Sequence, residues 1–149
     1  MIREMREEDL AAVTEIEQFS FSDPWSEEGF RESLYQTQAL LRVVEVGGCI
    51  AGYYIFYFSD DEGELVNIAV HPEFRRQGIG TAMIEDLLEK GMSLGVKQFV
   101  LEVRMGNSKA ISLYKKQGFS LMGIRKGFYT KPTEDALVMV YSQGSPIYI

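Results

Sequence analysis

A single cysteine and a single histidine stand among 149 residues. Cys49 therefore has no internal partner for a disulfide, and no Cys/His cluster exists to hold zinc. No metal is expected. A Ser–His or Cys–His triad could be built only around His71. Proline is scarce, and no Pro- or Ser-rich linker, low-complexity tract or repeat divides the chain. No apolar run approaches the roughly 18 residues of a membrane span. The stretch MIREMREEDL lacks the apolar core of a secretory signal. A cytoplasmic protein with no membrane partner is expected. Positive charge is in deficit: 15 Lys and Arg stand against 22 Asp and Glu, a net charge of −7. That balance makes nucleic acid a poor partner and favours a cationic one, such as an amine or a basic peptide. Plain solubility explains the same charge equally well.

What is present is ordinary for a globular protein, with 46% hydrophobic and 25% charged residues. One domain over residues 1–149 is expected. Ile2 to Met5 reads as a strand, and Leu10, Val13, Ile16 and Glu17 recur at helical spacing. Ser26 is placed to cap a second helix bearing Phe30 and Leu34. Strands from Leu40 to Val46 and from Cys49 to Phe58 flank the turn Gly47-Gly48. A loop from Ser59 to Gly63 and a strand from Glu64 to Val70 follow. Met83, Ile84, Leu87 and Leu88 give the next helix its apolar stripe, which Gly95 ends. From Gln98 to Met105 the chain alternates. Phe99, Leu101, Val103 and Met105 are expected on one face, with Val100, Glu102 and Arg104 on the other. Asn107 reads as the cap of a helix carrying Ala110, Leu113 and Tyr114, and Gly118 as its terminator. Two strands, about Leu121 to Tyr129 and Asp135 to Tyr141, finish the pattern. The sum predicts an α/β (α+β) domain: a mixed, mostly antiparallel central sheet with helices on both faces.

The most specific segment runs from Val70 to Thr81, where a strand ends, a turn follows, and Gly78 and Gly80 precede a helix. Glycines there let backbone N–H groups approach a ligand, and the helix N-terminus favours a phosphate. A Walker loop is excluded, because no Gly-x-x-x-x-Gly-Lys-Ser/Thr occurs. The dinucleotide fingerprint fails at Met83, where a third Gly or Ala belongs. What remains is Arg75-x-x-Gly78-x-Gly80.

That arrangement resembles motif A of the GCN5-related N-acetyltransferases. The likeness extends over nearly the whole chain, through Leu101-Glu102-Val103-Arg104, Asn107, Ala110, Leu113-Tyr114 and Gly118-Phe119. Asp23-Pro24-Trp25-Ser26, Asn67-Ile68-Ala69-Val70, Arg125-Lys126-Gly127-Phe128-Tyr129 and Glu134-Asp135-Ala136-Leu137 make it similar to the RimI-type branch. That branch acetylates the N-terminal alanine of a ribosomal protein. Arg75 stands where glutamine is common in RimI-type chains.

The resemblance implies acetyl-CoA as cosubstrate. Its pyrophosphate would lie on the amides of Arg76, Gln77, Gly78, Ile79, Gly80 and Thr81. Its pantetheine arm would lie beside backbone at Ile68, Ala69 and Val70, with Asn107 contributing a further bond. A backbone N–H near Ile68–Ala69 would face the thioester oxygen. Glu102 is implied as the general base and Tyr114 as the general acid. Read from the residues alone, Glu102 is as well explained as a surface or paired carboxylate, and Tyr114 as a core aromatic. His71 is read as a loop residue and Cys49 as unreactive, so the amine is expected to attack the thioester directly. The substrate expected is a protein beginning with alanine, a basic ribosomal protein. Two rivals stay open: an acetyltransferase for a lysine, polyamine or antibiotic amine, and a non-catalytic acyl-CoA-binding module.

Overall fold

Capping residues and strand alternation set where each element begins and ends. In chain order these are β1 (Ile2–Glu4), α1 (Leu10–Ser20), α2 (Glu27–Leu34), β2 (Ala39–Val46), β3 (Cys49–Ser59) and β4 (Glu62–Val70), then α3 (Ile79–Ser93), β5 (Gln98–Arg104), α4 (Ser108–Lys116), β6 (Ser120–Tyr129) and β7 (Glu134–Ser142). The computed structural model describes residues 1–143. Residues 144–149 of the expected domain lie outside the described residues. Ser26 Oγ accepts from the Gly29 N–H at 3.1 Å and starts α2, as its position predicts. Asn107 Oδ1 does the same for α4, accepting from the Ala110 N–H at 3.3 Å. Gly118, at φ +103°, closes α4 and lets the Phe119 N–H donate back to the Tyr114 carbonyl at 2.9 Å.

The seven strands form one sheet in the order β1-β2-β3-β4-β5-β7-β6. Every neighbouring pair is antiparallel except β4 and β5. On one face α3 buries Met83, Ile84 and Leu87 in a cluster with Tyr54, Phe56, Phe99 and Leu101. On the other, α1 and α2 bury Val13, Ile16 and Phe30 with Val43, Tyr53 and Ile55. Both faces are thus covered by helices, and the expected mixed sheet is borne out.

Two local expectations change. The loop after β3 is shorter than Ser59–Gly63, because β3 runs through Ser59 and β4 starts at Glu62. Gly63 is a strand residue over which the Phe56 ring lies, and a Cβ there would overlap that ring. Met105 does not continue the apolar face of β5. The strand ends at Arg104, and Met105 is exposed.

One irregularity positions everything that follows. The β4–β5 pairing covers only Glu62–Leu65 against Gln98–Leu101. At that point the β3–β4 register slips, with Ile55 opposite Asn67 but Phe56 opposite Leu65. Val66 is the extra residue of a β-bulge, a feature that bends a strand and increases its twist. Beyond it β4 leaves β5, while β5 stays paired with β7 as far as Arg104.

Candidate active site

The divergence of β4 and β5 opens the sheet, and two connected clefts fill the gap. One, of about 740 Å³, runs along Ile68, Ala69 and Val70 to the start of α3 and to Asn107 and Tyr114 on α4. The other, of about 560 Å³, lies between β4, the β5 residues Leu101–Arg104, the α1–α2 connection and Tyr129. They share Ser20, Phe21, Ile68, Asn107, Ala110 and Tyr114.

The larger cleft ends on an uncapped helix. Gly78, at φ +77°, is the N-cap of α3 and has no side chain to accept from the first-turn N–H groups. The Ala82 N–H bonds back to Gly78 O, which leaves the N–H groups of Ile79, Gly80 and Thr81 ahead of the first helical bond. By contrast, α2 and α4 each carry a side-chain cap. Arg75, Arg76, Gly78, Ile79, Gly80 and Thr81 all line this cleft, but Gln77 does not. Arg76 itself adopts φ +64°, a strained value for a side-chain-bearing residue. Gly80 serves packing as well, since a Cβ there would come within 3.2 Å of Leu113 Cδ2 on α4.

Glu102 and Tyr114 both face the gap, from β5 and α4 respectively. Glu102 alternates away from the buried Leu101 and Val103, as its strand position predicts. Its side chain is 13% exposed and accepts from Arg125 Nη1 on β6. Glu102 also borders a third, open groove of about 760 Å³ that holds Glu62, Glu64 and Arg125. Burial, and then the charge of Glu102, raise Glu64 above the ordinary carboxylate range. Tyr114 is buried against Phe119, with ring centroids 5.8 Å apart. Burial pushes its phenol upward, so the O–H stays protonated at neutral pH. Tyr129, across the smaller cleft, is pushed up to about 12 by burial and by Glu102.

Two charged side chains fix the walls of the smaller cleft. Arg104 donates to the carbonyls of Thr130 and Pro132 at 3.0 and 3.1 Å and to Glu134 Oε1 at 3.1 Å. Its guanidinium lies 4.5 Å from the centre of the Tyr129 ring and reaches Ser22 Oγ at 3.5 Å. Glu17, 1% exposed, accepts from the Trp25 N–H at 2.9 Å, from Asn67 Nδ2 at 2.8 Å and from the Tyr53 hydroxyl. Among the described residues no group of three His, Cys, Asp or Glu side chains could hold a metal ion.

Comparison with known proteins decides the family. The model of the Acetyltransferase (GNAT) family matches residues 10–119. The chain belongs to this family. It is 38% identical over 133 residues to the [ribosomal protein bS18]-alanine N-acetyltransferase of Escherichia coli (strain K12), covering 88% of this chain and 89% of that protein. It is 32% identical to an N-alpha-acetyltransferase of Sulfurisphaera tokodaii, over 93% of this chain and 90% of that one. The crystal structure of the Escherichia coli ribosomal-protein-S18-alanine N-acetyltransferase superposes with a TM-score of 0.89 at 34% identity. That match covers 100% of this chain and 97% of the other.

Within this GNAT chain three side chains make contacts at the clefts that the sequence pattern does not assign. Glu17 was legible as an acidic residue on an otherwise apolar helical stripe. Alternation puts Arg104 on the Glu102 face of β5 but does not give its partners. Arg125 had no local signal, since its bond to Glu102 spans 23 positions. His71 caps the short turn after β4, its Nδ1 accepting from the Glu73 N–H at 3.1 Å, which matches its reading as a loop residue.

Proposed function

We propose that this protein is an acetyl-CoA-dependent Nα-acetyltransferase whose substrate is the N-terminal alanine of a ribosomal protein, acting in the cytoplasm. One observation carries the reading. A continuous cleft through the sheet has an uncapped helix N-terminus at one end and Glu102 and Tyr114 at its middle. The names of the relatives aligned over most of the chain support the same substrate.

The larger cleft suits acetyl-CoA. The first-turn amides of α3, with Arg75 and Arg76 beside them, offer hydrogen bonds and positive potential to a pyrophosphate. The edge of β4 beyond Val66 has no β5 partner, so Ile68, Ala69 and Val70 offer backbone groups to an extended amide arm. Asn107 caps α4 through Oδ1, which leaves its Nδ2 hydrogens for that arm. The smaller cleft, lined by Trp25, Asn67, Glu102 and Tyr129, receives the amine.

The chemistry is then a direct transfer. The amine nitrogen attacks the thioester carbon, the C–N bond forms, and the C–S bond breaks. An N-terminal ammonium has a pKa of about 7.7–8.0, so a modest base suffices to take its proton. Glu102 is that base, directly or through one water. A backbone N–H at Ile68–Ala69 steadies the carbonyl oxygen as it becomes negative. Tyr114 donates to the departing sulfur. A phenol is already a weaker acid than an ordinary thiol of about 8.5, and burial weakens it further. Tyr114 therefore steadies the leaving thiolate by a hydrogen bond, and the second proton that the nitrogen loses on becoming an amide ends on that sulfur.

The test is turnover of acetyl-CoA with three acceptors: a peptide beginning with alanine, the same peptide with a blocked N-terminus and an internal lysine, and a polyamine. Acetylation of the first alone, located on the α-amine by mass spectrometry, is the expected result. Acetylation of lysine or polyamine with an inert alanine peptide would move the substrate to another amine. Tight CoA binding without transfer to any acceptor would make the chain a binding module.

A further inference from the structure

Among the described residues, Glu17 is a buried acidic group that the transfer itself does not use. It sits on α1 beside Val13 and Ile16, which join the apolar cluster with Phe30, Tyr53 and Ile55. A carboxylate in such a place is tolerated when its oxygens are hydrogen-bonded. Here Oε2 accepts from the Trp25 N–H, and Oε1 from Asn67 Nδ2 and the Tyr53 hydroxyl. The three donors come from three segments: the α1–α2 connection, β4 just past its bulge, and β3. Trp25 and Asn67 line the smaller cleft together with Glu17, and none of the three lines the larger one.

We propose that Glu17 is a positioning residue for the amine substrate: its carboxylate ties Trp25 to Asn67 and so fixes the wall of the amine cleft without touching the reacting atoms. This rests on the reading of the smaller cleft as the amine site. An acceptor-only group is what the geometry needs, because all three partners are donors. Glu17→Gln keeps the size but turns one acceptor oxygen into an NH2 group. Either the Trp25 N–H or the Asn67 and Tyr53 pair then loses its acceptor.

The experiment compares steady-state kinetics of wild type, Glu17→Gln and Asn67→Ala, with the acceptor that the wild type acetylates and acetyl-CoA varied in turn. For Glu17→Gln the expected result is a rise in the acceptor KM of about tenfold. Both kcat and the acetyl-CoA KM stay within about twofold of wild type. Asn67→Ala moves the same constant in the same direction, by about threefold, and decides the matter if Glu17→Gln does not fold. An unmoved acceptor KM in a folded variant overturns the proposal. So does an equal rise in both KM values with a lowered Tm, which is the mark of a packing role alone. Absence of wild-type turnover with every acceptor overturns the assigned function and this proposal with it. Wild-type turnover with an unmoved acceptor KM in the variants overturns this proposal alone.

Discussion

Arg125 on β6 reaches across β7 to β5 and donates from Nη1 to Oε2 of Glu102. The carboxylate is 13% exposed and the guanidinium 58%, so the pair straddles the rim of the cleft. An exposed partner of this kind contributes about 0–1 kcal/mol to stability. The contact holds the Glu102 carboxylate at that rim.

Glu102→Gln is therefore expected to lower kcat by about 10²-fold or more, the usual share of a general base. Arg125→Met is expected to lower it by less than about tenfold, with a change in unfolding free energy under about 1 kcal/mol. Steady-state rates and urea unfolding measure both. A Glu102→Gln enzyme within about twofold of wild type removes Glu102 from the chemistry.

Tyr114→Phe separates the phenol from its ring. The ring packs on Phe119 and lies in the α3–α4 core, and phenylalanine preserves that contact. A fall in kcat of about tenfold or more with a nearly unchanged Tm is expected. A lowered Tm with unchanged kcat would make Tyr114 a packing residue.

The two glycines at the start of α3 should respond differently. Gly78 sits at φ +77°, where an L-residue pays roughly 1–2 kcal/mol. Gly78→Ala is expected to lose about that much stability in urea unfolding and to weaken acetyl-CoA binding in calorimetry. Gly80 is helical, so alanine gains up to about 1 kcal/mol of helix propensity. Its Cβ meets Leu113 Cδ2 at 3.2 Å, which offsets the gain. Gly80→Ala should leave stability nearly unchanged.

Much of this was legible in the chain. Ser26 and Asn107 are capping residues by chemistry, and Gly118 ends its helix for the reason any glycine does, so the expected boundaries hold. The alternation around Glu102 places it opposite Leu101 and Val103 because a strand has a period of two. The bulge at Val66 was not legible. Its register slip is set by β3 pairing, and nothing in Leu65-Val66-Asn67 marks the extra residue. The positive φ of Arg76 beside Gly78 was not legible either, since a side-chain-bearing residue carries no mark of it. The partnership of Arg125 with Glu102 depends on strand order, which local pattern does not reveal.

Glu17 also makes a pH prediction. Burial raises it above its ordinary value of 4.5, against the pull of its three hydrogen bonds. The folded chain thus holds this proton more tightly than the unfolded chain does. Its contribution to stability is complete below the unfolded-state pKa and is lost as pH rises through the folded-state value. From about pH 4.5 upward, the unfolding free energy of wild type is expected to decline relative to Glu17→Gln. Urea midpoints at a series of pH values measure the difference. A difference that stays flat or grows with pH contradicts the assignment.

Only four residue pairs join β4 to β5, so the sheet consists of two wings sharing a short seam, each continuous within itself. An extended molecule along the free margin of β4, at Ile68–Val70, would lie in the fork beyond that seam, between β4 and α4.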